Sequence, residues 1–244
     1  MNLLEAINIE KSFGEVKALL GVDFAVGKNE IVGLIGDNGA GKSTLVKILM
    51  GVYPPDKGQI YFEGKIVEDY SVQKAKELGI DIVYQEQALA DLHTIWRNIF
   101  MGREIRNRLG FIKIRESKEK SMEILREIGF RGDIGPDSVI WHLSGGEREG
   151  VAIARTIYSK AKLVILDEPT TALSIKETEK VIQYIRRIKE LGNSCIFITH
   201  NLYHVYPVAE RFVILDRGKK VADIPKEETS LDDVADRLRR ARGL

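Results

Sequence analysis

The chain has 244 residues, 44% of them hydrophobic, which is enough for a real core in one large domain or two small ones. Its 37 basic and 36 acidic residues leave a net charge of +1, with no long basic stripe of the kind that neutralises nucleic-acid phosphates, so no nucleic-acid partner is expected. The single cysteine, Cys195, excludes a disulfide framework and points to a reducing compartment, and no apolar run approaches the roughly 18 residues a membrane span needs.

The first residues, Met1-Asn2-Leu3-Leu4-Glu5, contain no basic segment followed by a cleavable apolar stretch, so a membrane role is expected only through a partner. From Leu3 to Ile9 and from Val22 to Val26 apolar and polar residues alternate, as in strands with one wet face, with Gly21 and Gly27-Lys28-Asn29 read as turns. Between them Lys11 to Val16 reads as a short polar stretch in which Phe13 has no periodic reason to stand. It either stacks on a flat adenine ring or fills a core edge.

The run Ile31 to Thr44 stops at glycine and restarts as a helix to about Leu49, giving strand, loop and helix. Gly36-Asp37-Asn38-Gly39-Ala40-Gly41-Lys42-Ser43 fits G-x-x-x-x-G-K-[ST], in which glycines let backbone N–H groups turn inward around phosphate. Lys42 supplies charge for the β and γ phosphates, Ser43 a hydroxyl for Mg²⁺, and the helix from Thr44 the positive end of its dipole. Gly51 to Gly58, broken by Pro54 and Pro55, is a loop. Gln59 to Phe62 and Lys65 to Val67 pair across Glu63-Gly64.

A helix closing over Ala75 to Leu78 ends at Gly79, and Ile80 to Tyr84 is a short buried strand with Gln85 at its end. Open α/β sheets place ligand groups there, so the amide either reaches a metal or water beside the phosphates or is a polar strand end. From Leu92 to about Ser159 the pattern is mainly helical, clearest over Glu116 to Ile128. Ser144-Gly145-Gly146-Glu147 then fits a capping box, which accounts for Ser144 and Glu147 but not for two glycines in a first helical turn, each unfavourable by up to about 1 kcal/mol. Glycines there leave N–H groups open to a second phosphate.

Leu163 to Leu166 is a fully apolar strand running into Asp167 and Glu168 and halted by Pro169. Paired carboxylates at a sheet's carboxyl edge suit Mg²⁺ binding and water activation; a surface turn is the alternative. An amphipathic helix to Glu190, the apolar strand Cys195 to Thr199 ending in His200, a hairpin around Arg217-Gly218 and a helix over Leu231 to Arg242 complete the chain. A lone histidine is usually structural, yet at a core strand's end His200 can donate to a γ-phosphate.

Together these residues resemble the ATP-binding-cassette (ABC) ATPases over essentially the full length, and Leu143-Ser144-Gly145-Gly146-Glu147 just ahead of Leu163 to Glu168 is the decisive feature. The resemblance implies an α/β P-loop NTPase fold with a RecA-like core sheet, an N-terminal antiparallel β subdomain and an inserted α-helical subdomain. It divides the single domain into a core of residues 1–85 and 160–244 and a helical part of residues 86–159. It assigns Gly36 to Thr44 to the Walker A motif, Phe13 to adenine stacking, and Gln85 to the Q-loop. Asp167 assists Mg²⁺, Glu168 polarises the attacking water, and His200 is the switch histidine. Ser144, Gly145 and Gly146 then bind the ATP held by a second ATP-binding subunit, in a homodimer formed on ATP binding.

Val83-Tyr84-Gln85-Glu86 and Asn98 to Glu104 look like the ATPases of bacterial importers for ribose-type monosaccharides, which usually carry two fused cassettes. One cassette stands here, as in fructose-type members. The expectation is an energy-coupling subunit, cytoplasmic and peripheral on the inner face of the cell membrane, with permease subunits as partners and, indirectly, a sugar-binding protein. The alternatives are an ATPase serving a soluble or non-sugar machine and a regulatory module that barely hydrolyses ATP. Glu147, where glutamine is commoner, and Ser174, where many cassettes have aspartate, depart from the family pattern.

Overall fold

The structure, a computed structural model, describes residues 2–85, 87–130 and 134–241; Met1, Glu86 and Arg242, named above, lie outside them. β1 (Asn2–Phe13) and β2 (Val16–Gly27) form a long antiparallel hairpin. Its far end takes in the short polar stretch from Lys11 to Val16: Lys11 pairs with Leu19, Ser12 with Lys17 and Phe13 with Val16. Backbone pairing carries these strands beyond the part of the sheet that covers the core, where no apolar alternation is needed. Gly21 is not a turn. The register shifts around it, and at φ +76° it is the extra residue of a bulge, where a Cβ would lie 2.8 Å from Asn8 Oδ1.

β3 (Ile31–Ile35) is buried throughout and leads through the glycine loop into α1 (Lys42–Leu49). β4 (Lys57–Phe62) and β5 (Lys65–Ile66) extend the first sheet, giving the order β2-β1-β4-β5. α2 (Val72–Leu78), capped by Ser71 and stopped by Gly79 at φ 87°, leads into β6 (Ile80–Val83). α3 (Ile95–Phe100) and α4 (Ile114–Glu127) follow. The 101–113 stretch between them is not helical as expected. Gly102 and Gly110 take positive φ, Arg106 bridges Ile112, and Asn107 Oδ1 accepts from Leu109 N (2.9 Å) and Phe111 N (3.0 Å).

α5 (Gly145–Tyr158) opens with the expected capping box, and α3 and α4 both pack on it. Then come β7 (Leu163–Asp167), α6 (Ile175–Glu190), β8 (Ser194–Thr199), α7 (Leu202–Val205), β9 (Arg211–Asp216), β10 (Lys219–Pro225) and α8 (Leu231–Ala241). The second sheet has the order β10-β9-β3-β8-β7-β6, parallel except for the edge strand β10. β3 and β8 are buried from end to end and β7 up to Asp167, which explains their unbroken apolar runs: one apolar cluster fills the space between the two sheets with α1, another the side of α5 and α6.

Register sets the site. Ile35 lies beside Thr199, Asp167 beside Ile198 and Val83 beside Leu166. The carboxyl ends of β3, β8, β7 and β6 therefore deliver the glycine loop, His200, Asp167-Glu168 and Gln85 to one edge of one sheet, where open α/β sheets hold ligands.

Candidate nucleotide site

The glycine loop is fixed from outside and from within. A Cβ on Gly36 would lie 2.5 Å from Leu215 O and one on Gly41, the cap of α1 at φ +104°, 2.8 Å from Ala18 O, so both positions exclude any other residue. Within the loop Lys42, buried at 7% exposure, donates from Nζ to the carbonyls of Gly36 (2.8 Å) and Asp37 (3.0 Å). Its charge is thus held in the loop that a phosphate would fill. Phe13, Asp37, Asn38, Gly39, Gly41, Lys42, Ser43 and Thr44 line one cleft of about 410 Å³. Gly36 and Ala40 lie behind its wall, and the Ala40 N–H is used on Asp37 O (3.1 Å). Phe13 is 43% exposed and meets Tyr53 edge-on with centroids 5.2 Å apart, which leaves its ring open to the cleft.

At the neighbouring strand ends the groups grip one another. Glu168 sits at φ +53°, a left-handed position rare for a side chain of its size. Its Oε1 accepts from the His200 N–H (3.1 Å) and faces His200 Nδ1 (2.8 Å), while Oε2 accepts from Thr171 Oγ1 (3.1 Å) and Thr199 Oγ1 (3.3 Å). Facing a carboxylate, Nδ1 carries the imidazole proton, so His200 in this arrangement donates from Nε2 only as the imidazolium. Burial first, and then the charge of Glu168, push the Asp167 carboxyl above its usual range; Lys42 and Lys47 pull it down. This excess negative charge beside the phosphate loop is what a divalent cation offsets. Among the described residues no three His, Cys, Asp or Glu side chains gather to hold a metal. A cation here would rest on Asp167, the Ser43 hydroxyl and the Gln85 amide with phosphate oxygens, the mixed oxygen set that suits Mg²⁺. Gln85 is exposed two residues beyond β6.

Ser144, Gly145 and Gly146 stand elsewhere, at the amino end of α5, and contribute nothing to the cleft around Lys42. Ser144 N donates to Glu147 Oε2 (2.9 Å), closing the cap. The glycines have a reason within the chain: a Cβ on Gly145 would lie 2.5 Å from Leu173 Cδ2 and one on Gly146 3.1 Å from Glu177 Cβ, so α5 meets the start of α6 there without side chains between them. Thr171 and Thr199, which brace Glu168, carried no motif that singles them out in the sequence. Their position beside Asp167-Pro169 and before His200 was the available signal.

A phosphate loop, paired carboxylates and a histidine on adjacent strand ends define a P-loop nucleotide-binding enzyme, and the capped glycine helix beyond them narrows the class. The ABC transporter family matches residues 19–171, and the chain belongs to that family. It is similar to the xylose/arabinose import ATP-binding protein of Sulfolobus acidocaldarius, 44% identical over 96% of this chain and 93% of that protein. It is 40% identical to the fructose import ATP-binding protein of Rhizobium meliloti over 96% of this chain and 92% of that protein. With the ribose import ATP-binding protein of Caldanaerobacter subterraneus subsp. tengcongensis it shares 36% identity over 95% of its length but only 46% of the relative, so the chain spans about half of such proteins. Among solved structures, a nucleotide-free ATP-binding cassette from an ABC transporter superposes with a TM-score of 0.85 at 25% identity, covering 99% of both chains. A dimeric cassette in a post-hydrolysis state bound to ADP and Pi gives 0.76 at 25% identity, over 91% of this chain and 98% of that one.

Proposed function

We propose that the chain is the ATP-hydrolysing, energy-coupling subunit of an importer for a monosaccharide. The observation that carries the enzymatic part is the convergence of Lys42, Asp167, Glu168 and His200 on one sheet edge; the names of the full-length relatives carry the sugar. In this reading Phe13 stacks on adenine, the loop from Gly36 to Thr44 wraps the phosphates, and Lys42 leaves the Gly36 and Asp37 carbonyls for the β and γ oxygens. Ser43, Gln85 and Asp167 hold Mg²⁺, which supplies positive charge to those oxygens. Glu168 orients the attacking water and accepts its proton, and His200 turns from Glu168 to the γ-phosphate.

The site takes Ser144, Gly145 and Gly146 from a second copy, so hydrolysis goes with dimerisation. Residues 1–85 and 160–244 act as the core and 86–159 as the helical part that meets the transporter. A groove of about 410 Å³ lined by Met50, Val72, Asp81, Tyr84, Met101 and Arg103 mixes apolar and charged side chains beside Gln85. It suits a permease segment, whose seating would be felt by the metal-side amide. Among the described residues no helix is long and apolar enough to cross a membrane, so placement at the inner membrane face comes through that contact. Coexpression with a polytopic permease, should one be encoded beside it, tests the assignment: the pair co-purifies, and Mg²⁺-dependent ATPase rises with a xylose-, ribose- or fructose-loaded binding protein. Stimulation by none of these sugars removes the sugar assignment and leaves a different cargo.

A further inference from the structure

His204 lies outside every motif of the chain, yet it joins the two loops that carry Glu168 and His200. Its Nδ1 is 2.9 Å from Thr170 Oγ1 and its Nε2 3.1 Å from Asn201 Nδ2. The amide of Asn201 can be oriented without ambiguity, because its Oδ1 accepts from the Tyr203 N–H (3.0 Å), so Nδ2 faces His204 as a donor. Nε2 must therefore accept. The proton of a neutral His204 is on Nδ1 and is given to Thr170 Oγ1. Thr170 is 3% exposed and stands two residues after Glu168; Asn201 follows His200 directly. With the His200–Glu168 contacts, the bonds close a ring: Glu168 through Pro169 to Thr170, across His204 to Asn201, and back through His200 to Glu168.

Such a ring has a mechanical use. Glu168 occupies left-handed backbone space at φ +53°, and a residue in such a conformation persists only where its surroundings over-determine it. The bond from His204 to Thr170 is one of the constraints that hold the turn from the far side of the reacting carboxylate. We propose that His204 is a positioning residue for hydrolysis: as a neutral Nδ1–H imidazole it bridges Thr170 and Asn201 and so fixes the loop bearing Glu168 against the loop bearing His200. The proposal rests on the roles given to Glu168 and His200 above. Burial, and then the His200 imidazole, lower the His204 pKa below the ordinary histidine value while Glu168 pulls it upward, which favours the neutral ring. Arg239 of α8, in the same cleft as His200 and Asn201, is paired with Asp236 at 2.6 Å.

The test compares His204→Leu, His204→Gln and Thr170→Val in ATP turnover and ATP binding. His204→Leu and Thr170→Val each lower kcat about tenfold, the size of one lost neutral hydrogen bond, with KM and ATP affinity within about twofold of the parent. His204→Gln, which keeps a donor and an acceptor, recovers most of the loss, and the double variant His204→Leu/Thr170→Val is no slower than either single one. Thr170→Val removes the same bond from the other side and serves if His204→Leu does not fold. Full turnover in Thr170→Val, losses that multiply in the double variant, or an equal loss of ATP affinity overturns the proposal. Imidazole ¹⁵N NMR gives a readout independent of hydrolysis: a His204 proton on Nε2 breaks the ring outright. The underlying reading fails separately, through a Glu168→Gln variant that turns over normally.

Discussion

In the proposed function the carboxyl edge of the parallel sheet and the amino end of α5 both take phosphate, yet in the free chain they are in opposite conditions. At the sheet edge three of the groups are already engaged by their neighbours: Lys42 by loop carbonyls, Glu168 by four donors, His200 by Glu168. At α5 the positive helix end is covered by the chain's own carboxylates, with Glu147 Oε2 on the Ser144 N–H and Glu177 Oε1 3.4 Å from the Gly146 N–H. In the proposed reading the first region is a half-site whose groups are gathered in place and turn from one another to the ligand. The second is a helix end with no chemistry beside it and a substitute anion resting on it. One chain thus carries two halves that do not meet, which is the geometry expected of a site completed between two copies.

The contrast breaks most sharply at the assembled half. Glu168→Gln keeps the size of the side chain but not its ability to take a proton, so kcat falls by about 10²- to 10⁴-fold, the range for a general base, with ATP affinity nearly unchanged. Steady-state turnover at the parent rate removes Glu168 from the chemistry. Lys42→Ala acts on binding instead, through loss of a charge-assisted phosphate contact; about 10- to 100-fold weaker ATP binding is expected by titration. The α5 half is then tested by assembly. ATP and Mg²⁺ shift Glu168→Gln from monomer toward dimer in light scattering, and adding Ser144→Arg, which puts bulk and charge on an exposed cap, abolishes the shift. A double variant that dimerises like the single one takes Ser144 out of the interface.

How much of this the sequence carried depends on the distance over which each feature is decided. The glycine loop, the apolar run into Asp167-Glu168 and the Ser144 cap are each decided within about ten residues, and the structure places them on the elements expected. The Glu168–His200 pairing joins positions 32 apart, and the left-handed φ at Glu168 is imposed by Ile198, Thr199 and Thr171. No local pattern encodes either. Lys11 to Phe13 showed no strand pattern, only polar residues, because a strand that overhangs its sheet has no burial to write into sequence. Gly145 and Gly146 show the reverse situation: open access to phosphate accounts for them, and so does the close approach of Leu173 and Glu177, which only the fold reveals. His204 was illegible because the bonds that define it come from two other segments.

Between the two regions runs a strap. Gln87 Nε2 donates to Glu149 Oε2 (2.8 Å), Arg148 reaches Asp91 (2.6 Å) and Arg155 the carbonyls of Gln87 and Ala88, tying the residues after Gln85 to α5. Glu149 is 2% exposed and its Oε1 meets no hydrogen-bond partner, so burial pushes its pKa to about 7 from 4.5. A carboxyl with a raised pKa contributes its stability fully below about pH 4.5 and loses it as pH rises through 7. At about 1.4 kcal/mol per pH interval the loss is on the order of 3 kcal/mol. Glu149→Gln removes the charge, so melting at pH 8 rises by several degrees while melting at pH 5 stays within a degree or two. An equal gain at both pH values means that packing, not ionisation, was changed.

The smallest effect concerns Ser174, where α6 begins against the glycines of α5. Its N–H donates to Glu177 Oε2 (3.0 Å), its hydroxyl donates to the same oxygen (2.7 Å), and the Glu177 N–H returns to Ser174 Oγ at 3.4 Å. The hydroxyl and backbone of Ser174 hold Glu177 below the usual carboxylate range, and the other Glu177 oxygen faces the Gly146 N–H. Aspartate caps a helix as well as serine does, but it cannot donate to Glu177 and it adds a like charge beside it. Ser174→Asp is therefore expected to destabilise by less than about 1 kcal/mol, and less at high salt than at low, because the repulsion is exposed. Its larger consequence is that Glu177 swings away and uncovers the Gly146 N–H for a partner's phosphate. ATP turnover should become more cooperative, with a higher Hill coefficient than the parent at equal protein concentration. A Hill coefficient that does not move, with the same small drop in melting temperature, would leave Ser174 as a helix cap and Glu177 as its partner in the cap alone.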